Sequence, residues 1–592
     1  MSRNAELAGL LQQMADLMEL TGADRFRVAA HARASRTVDS ITQDIDELAD
    51  DRDALLAVDG IGAKMADKIQ EFSRTGRIGE HEALLQEVPP GLLGVMDVPG
   101  LGPKTVRLLW KELGVEGVDD LKRVIDDGSI LNLPRMGEKT VANIRDALVF
   151  ARASAERTPL GVALPAALAL VQRLEGVKGV SRVEYAGSVR RGRATIGDVD
   201  ILACAEDGGA AHEMFRAMPE VEKVLASGET KTSVRLLTSR NKRLQADLRT
   251  VGREHYGAAL LYFTGSKEHN VRLRERAIRM GMTLNEYGLY KESKGKKTEG
   301  SPQSRGEKPV ASRTEEDIYA ALGLPWIPPE LREGAGELDH PADHDFGLIE
   351  IADIKAELHA HTDASDGRMS IVELAERAKE RGFHTIAVTD HSKSQPIAGG
   401  LHPDRLREHI EHIHAARSRV KGITILAGSE VDILADGSLD YDDELLAKLD
   451  IVVASPHAAL KQDPDAATRR LLRAIAHPLV HILGHPTGRL INRREGMSPD
   501  IRALALAAAE HGTALEINAN WMRLDLRDAH VRMALDISPD TLIAIDCDVH
   551  SESDFDQLGF GVLTARRGGL TPSRCVNTWP AKKLHAWLKS KR

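Results

Sequence analysis

Cysteine is scarce: Cys204, Cys547 and Cys575 are the three in a chain of 592 residues. None forms a C-x-x-C pair, which argues against disulfides and cysteine-ligated zinc and suits a reducing compartment. No apolar run reaches the roughly 18 residues that a membrane-spanning helix needs, so no membrane partner is expected. The opening segment MSRNAELAGLLQQMADLMEL is amphipathic and acidic. It reads as neither a signal nor a transit peptide, and a cytoplasmic chain is expected. Positive charge is also short. The net charge of −10 argues against nucleic acid as a partner if the chain is taken whole. Apolar residues at 42% and charged residues at 28% are ordinary for soluble globular protein. At about 100–200 residues per domain, the length implies roughly three to five domains.

The averages conceal an uneven distribution. Residues 1–150 carry a net charge of −8, residues 151–300 carry +8, and residues 340–592 carry −6. Of the 23 histidines, 18 lie after residue 339. A central basic block and a histidine-rich final block suggest two chemistries on one chain.

The first 150 residues read as helices separated by glycine turns. A weak repeat runs through VDGIGAKMADKI (58–69), VPGLGPKTVRLL (98–109) and LPRMGEKTVANI (133–144). Gly60, Gly62 and Lys64 in the first copy correspond to Gly100, Gly102 and Lys104 in the second; the third keeps only Gly137. Glycines at a helix N-terminus turn backbone N–H groups outward, which suits a DNA phosphate. An ordinary connection using glycine for its turn is the alternative. From about 160 to 290, short apolar runs read as strands among helices. Residues 291–313 are rich in Lys, Gly, Ser and Pro and read as a flexible insert. The proline-bearing stretch 324–350 reads as a linker. Beyond it, strand-like runs alternate with amphipathic helices over about 240 residues, the pattern of a parallel α/β barrel.

The basic block contains GSVRRG (187–192), GDVDILA (197–203) and QADLR (245–249). Period-two alternation puts Asp198 and Asp200 on one face of a strand. With Asp247 on another strand, three carboxylates can hold two magnesium ions for an in-line phosphoryl displacement. Gly187 and Ser188 suit close approach of a triphosphate, neutralised by Arg190 or Arg191.

In the last block, His359 and His361 share a strand face and Asp366 follows in the next loop. Single candidates then close successive runs: His391, Glu430, His457, His485, and Asp548 with His550. Nine mixed imidazole and carboxylate ligands suit two or three ions of zinc, manganese or iron better than magnesium. Isolated histidines such as His384 and His511 read as satisfied structural residues.

Together with YFTGSKEHNVRLR (262–274), the carboxylate motifs resemble those of the family X DNA polymerases. The histidine motifs resemble the PHP (polymerase and histidinol phosphatase) family. Their combination resembles the bacterial and archaeal family X polymerases with a fused PHP domain. The implied architecture is a helical helix-hairpin-helix region, 1–85 and 86–155, followed by an α+β nucleotidyltransferase palm, 156–252. A thumb, 253–323, and a PHP barrel, 351–592, complete it.

By resemblance, Asp198, Asp200 and Asp247 hold Mg²⁺ or Mn²⁺. Ser188 and Arg191 hold the triphosphate, Tyr262 and Phe263 exclude ribonucleotides, Asn270 faces the minor groove and Arg274 the template. Gly265 belongs to the same nucleotide site. The family's lyase lysine falls on Lys68, but the usual pocket tyrosine is replaced by Phe26, and a solvated helix lysine is the other reading. Arg523 falls where a substrate phosphate or a salt bridge would hold it.

The implied function is gap-filling DNA synthesis in base excision repair, on gapped or primed DNA with dNTPs. Metal-dependent 3′→5′ exonuclease activity, and cleavage at abasic sites, would come from the PHP barrel with Mn²⁺ or Zn²⁺. A monomer is expected. The alternatives are a polymerase fused to a small-molecule phosphatase or pyrophosphatase, and a non-catalytic DNA-binding scaffold.

Overall fold

A computed structural model describes residues 3–591 apart from 41–44, 59, 97, 99–100, 135, 143, 146–147, 149–156, 239, 241, 292–301 and 303–305. The chain divides into two compact units, Met1–Glu156 with Asn492–Arg494, and Arg157–Ile491 with Glu495–Arg592.

The first unit is built from short helices. In the helix Ala63–Thr75, Met65, Ala66, Ile69 and Phe72 are buried, the spacing of one helical face. Burying a side chain such as Phe72 stabilises the unit by about 2–3 kcal/mol. Gly76, left-handed at φ 71°, ends this helix. The helix Pro103–Leu113 repeats the plan, with proline in its first turn and left-handed Gly114 after it.

The second unit opens with a five-stranded sheet. Its strands are β1 (Val180–Tyr185), β2 (Asp198–Ala205), β3 (Val221–Ser227), β4 (Lys231–Leu237) and β5 (Arg243–Val251), in the order β1-β2-β5-β4-β3. Strands β2 and β5 are parallel and central, which is why both read as apolar runs interrupted by carboxylates. Helices Tyr256–Thr264 and Lys267–Arg279 lead into the hairpin Met282–Asn285 and Gly288–Lys291.

Two stretches expected to be loose are packed. Residues 306–313 of the predicted flexible insert return to the hairpin, where Leu289 and Ala311 form a β-bridge. Leu324, Ile327 and Leu331 of the predicted linker are buried in the core of this region. Backbone pairing in the first case, and three spaced apolar side chains in the second, outweigh the Gly, Ser and Pro content.

Seven later strands run parallel and in sequence order: β6 (Ala356–Glu357), β7 (Thr385–Val388), β8 (Thr424–Asp432), β9 (Ile451–Ser455), β10 (Ile482–Leu483), β11 (Ala514–Asn518) and β12 (Leu542–Asp546). Just beyond the first and last of them, Ala360 bridges Val549 in parallel. The His361 N–H donates to the Val549 carbonyl and the Val549 N–H to that of His359, which draws the ring nearly closed. Alternation divides each strand: Ile451 and Val453 join an inner core, and Val452 and Ala454 an outer one. Leu584 and Leu588 of the helix Ala581–Ser590 join that inner core.

Candidate metal centres and nucleotide cleft

The β2–β5 register places Asp200 directly opposite Asp247, with Asp198 two residues from Asp200 on the same face. Gly187 opens the short helix Gly187–Arg190 at φ 60°. A Cβ there would lie 2.4 Å from the Asp200 carboxylate, so only glycine permits this approach. Burial, then the charges of Asp198 and Asp247, pushes the Asp200 carboxyl up to about 7. Against the cost of its own burial, Lys231 at 2.5 Å helps hold Asp247 below the usual carboxylate range. Gln245 adds a hydrogen bond to Asp247 at 3.1 Å. Asp200 is thus repelled by Asp198 on its own strand and by Asp247 across the ladder, and Asp247 is itself paired with Lys231; a divalent cation would relieve that repulsion.

Asp198 and Asp200 line an open cleft of about 610 Å³ that Gly187, Ser188, Arg191, Tyr262, Phe263, Gly265, Asn270 and Arg274 also line. Three cations the sequence reading did not single out, Arg157, Arg193 and Lys267, line it too. Tyr262 and Phe263 meet edge to face at 5.1 Å, and the Arg249 guanidinium covers Phe263 at 4.3 Å. Asn270 donates to the Tyr262 carbonyl at 2.7 Å, and Arg274 donates to the Asn270 carbonyl at 3.2 Å. Arg190 and Arg191 differ in their partners. Arg190 forks onto Glu315 at 2.8 and 2.9 Å, away from the cleft lining, whereas Arg191 faces the cleft.

All nine barrel candidates converge at the C-terminal ends of the strands. Glu430 of β8 is central: its oxygens lie 2.8 Å from His391 Nδ1, 2.9 Å from His485 Nε2, 3.3 Å from His359 and His457 Nε2, and 3.7 Å from His361 Nε2. Asp548 reaches His361 Nε2 at 3.2 Å, and Asp366 reaches His550 Nε2 at 3.3 Å and His391 Nε2 at 3.5 Å. Three sets could each hold one ion: His361, Asp366, His391 and His550; His359, His361 and Asp548; and His391, Glu430 and His457.

Although several of these contacts are close, both ring nitrogens of His361, Nε2 of His359, Nδ1 of His391 and one Glu430 oxygen are buried and make no hydrogen bond of acceptable geometry among the described residues. Buried polar atoms left without partners are costly, and metal ions satisfy them. Burial, followed by the charges of His550 and His391, lowers His361 to about 4, and burial lowers His485 to about 3. Both are therefore neutral imidazoles near pH 7, the form that ligates. Against the cost of burial, the surrounding carboxylates raise His359 and His391 and lift His457 and His550 to about 9, so metal binding would displace protons from these four rings.

Models of known families match four parts of the chain. One described as a helix-hairpin-helix domain matches residues 2–78, and a SAM-like helix-hairpin-helix tandem matches residues 92–149. A DNA polymerase beta thumb matches residues 259–333 and a PHP domain residues 357–520. The chain is also similar to the DNA polymerase/3′-5′ exonuclease PolX of Bacillus subtilis, with 36% identity over 585 residues and 99% of both chains covered. It belongs to the family X DNA polymerases that carry a PHP domain. DNA polymerase lambda of Arabidopsis thaliana is 25% identical over 350 residues, covering 56% of this chain and 62% of that protein. A probable phosphatase of Syntrophotalea carbinolica is 30% identical over 238 residues, covering 38% of this chain and 92% of that protein.

In the helix-hairpin-helix unit, Gly62 and Gly102 cap their helices with no side-chain hydrogen bond, which leaves the N–H groups of Ala63 and Lys64, and of Lys104 after the N–H-less Pro103, without an intrahelical partner. Lys64 is exposed and Lys104 is exposed beside Glu19 at 3.5 Å. Gly60 has φ 86° and Gly137 begins a helical turn, while Gly100 lies outside the described residues. Lys68 is not the solvated lysine that its helix position suggests: its side chain is 15% exposed and pairs with Glu80 at 2.8 Å. Phe26 is 85% exposed.

The histidines' supports escaped the sequence reading. Glu516 accepts from His359 Nδ1 at 2.6 Å, Asp432 pairs with His457 Nδ1, and Asn518 donates to Asp548 at 3.0 Å. The available signal was a charged residue inside an otherwise apolar parallel strand, as in ALEIN. Arg523 lies 3.7 Å from Asp548, at the rim of the cluster. His384, as expected, is satisfied structurally by Thr385 and the Trp579 carbonyl.

Proposed function

We propose that this chain is a gap-filling DNA polymerase of base excision repair whose PHP barrel trims 3′ ends as a 3′→5′ exonuclease. The observation that carries the reading is the meeting of Asp198, Asp200 and Asp247 beside the Gly187–Ser188 turn, at the head of a cleft lined by arginines. Mg²⁺ or Mn²⁺ held by these carboxylates would supply the charge that stabilises the attacking and leaving oxygens of an in-line displacement. Ser188 and the Arg191 guanidinium bind the triphosphate. Tyr262 and Phe263 lie against the sugar and exclude a 2′-hydroxyl by contact. Asn270, carried by the same helix as Arg274, orients the base pair from the minor groove.

At the barrel, two or three ions of Mn²⁺ or Zn²⁺ would be held by the nine ligands, and Arg523 binds the scissile phosphate. Lys64 and Lys104, at the starts of their helices, position duplex backbone without reading sequence. The partners are gapped or primed DNA and dNTPs. The chain works as a cytoplasmic monomer; no helix among the described residues is long and apolar enough to cross a membrane. Cleavage at abasic sites draws on the same barrel ligands. Lyase chemistry is not assigned, since Phe26 stands where the family's pocket tyrosine would be.

The likeness of the barrel to a probable phosphatase favours one rival, hydrolysis of small phosphomonoesters. Labelled gapped DNA and a generic phosphomonoester, each offered with Mg²⁺ and with Mn²⁺, separate the two. Extension and 3′ degradation of the DNA are expected. Turnover of the phosphomonoester with an intact primer would replace the exonuclease by a phosphatase.

A further inference from the structure

The turn that follows the Gly187–Ser188 cradle does not rest on the palm alone. Gly192, at φ 66°, lies against Leu563 and the aliphatic part of Arg567, both on the barrel helix Leu558–Gly568. Arg567 Nη1 donates to the Arg191 carbonyl at 2.6 Å and to Glu333 Oε1 at 3.0 Å. The other edge of the same guanidinium is held by Asp528 of the barrel, with Nε donating at 2.7 Å. The Arg567 side chain is 5% exposed, so these bonds are shielded from water.

Glu333 is the second joint. Besides Arg567 it accepts from Arg191 Nε at 3.1 Å and from Arg193 Nη1 at 3.2 Å. Arg191 Nη1 donates to the Thr264 carbonyl at 2.5 Å. Two edges of the Arg191 fork are thus fixed, one through a carboxylate that the barrel itself holds. Nη2 makes no hydrogen bond among the described residues, and the residue lines the nucleotide cleft. A planar guanidinium pinned at Nε and Nη1 has one remaining nitrogen in a set direction, the arrangement needed for a phosphate oxygen.

We infer that Arg567 is a positioning residue of the polymerase reaction: through the Arg191 carbonyl and Glu333, the PHP barrel fixes the guanidinium that receives the incoming triphosphate. The barrel is therefore part of the nucleotide site as well as the seat of a second one. The inference rests on the reading of Arg191 as a triphosphate ligand. It assigns no contact with substrate to Arg567. Removing the support would leave Arg191 in place but free to swing, which weakens binding of the triphosphate and leaves the carboxylates untouched.

The test is single-nucleotide gap filling by the full chain with one dNTP varied, using Arg567→Met, Glu333→Gln, their double variant and Arg191→Ala. Arg567→Met preserves bulk at the packed position. Glu333→Gln preserves shape and lies outside the barrel, so it decides the matter should the first variant fail to fold. Arg567→Met and Glu333→Gln are each expected to raise KM for the dNTP about five- to tenfold with kcat within about twofold, the loss of one or two shielded, charge-assisted hydrogen bonds, and Arg191→Ala, which removes the ligand itself, to raise it further. The double variant should exceed the larger single effect by less than about twofold, because both act through one guanidinium.

KM for pyrophosphate in the reverse reaction should rise in parallel, which an interface with a merely structural role would not produce. Exonuclease activity should remain within about twofold of the unmodified chain. An unchanged KM in Glu333→Gln, or a fall in kcat and exonuclease activity together at constant KM, overturns the inference. If Arg191→Ala itself leaves KM unchanged, the reading of Arg191 fails and the inference goes with it. A raised KM in Arg191→Ala with none in Glu333→Gln removes the inference alone.

Discussion

The palm and the barrel gather ligands in opposite ways. The palm uses three carboxylates on two adjacent strands, opens onto a broad cleft, and leaves Lys231 paired with Asp247. The barrel draws nine candidate ligands to one end of a nearly closed ring, buries most of them, and braces several from behind with Glu516, Asp432 and Asn518. A site that must admit a nucleotide and a primer end each turnover needs an open mouth and ligands shared with the substrate. A site that keeps its ions needs a full set of protein ligands with fixed ring orientations. The contrast explains why unpartnered buried imidazole nitrogens cluster in the barrel, whereas the palm's tension is carboxylate repulsion that lifts Asp200 to about 7.

The independence of the two centres is the part most easily broken. Asp200→Ala is expected to lower primer extension on the order of a thousandfold, as loss of a charge-stabilising group at the reacting centre does, with 3′ degradation within about twofold. His361→Ala should do the reverse, lowering degradation on the order of a hundredfold while extension persists. Loss of both activities in either variant would show that the two centres are not separate. Glu516→Gln sharpens the contrast without touching a ligand: metal affinity of the barrel, read by titration and by metal content after dialysis, should fall about 10- to 100-fold. Extension should be unaffected, and a Glu516→Gln chain that retains its metal as tightly as the unmodified one would remove Glu516 as a brace. The smallest effect is expected from Lys231→Ala. Lys231 is 39% exposed, and a partly solvated ion pair contributes only about 0.2–1 kcal/mol, so extension at saturating metal should change by less than about fivefold.

Much of this was legible along the chain because the signals were local. The barrel strands read as apolar runs, since parallel strands are buried on both faces, and most candidate ligands sit at or just beyond the end of one. Asp198 and Asp200 share a face by alternation alone, and Gly187 next to a serine marks a close approach of backbone. The insert misled: Leu289 recovers residue 311 through backbone hydrogen bonds, which leave no side-chain signature. Lys68 misled in another way, because its partner Glu80 stands one helix further on.

What the sequence by itself determined is the list of chemical groups and their order: three carboxylates with a glycine-serine turn, nine imidazole and carboxylate ligands, and two glycine hairpins bearing lysine. The −10 net charge was a poor guide because some of the acidity is ligand carboxylate and the palm block is basic. Only the tertiary structure decided which cation faces the cleft, which carboxylates brace the histidines, and that Arg567 meets the carbonyl of Arg191 across 376 residues of chain. Spacing and alternation express a backbone geometry that repeats every few residues. A hydrogen bond between distant elements depends on how whole layers stack, and no local period encodes it.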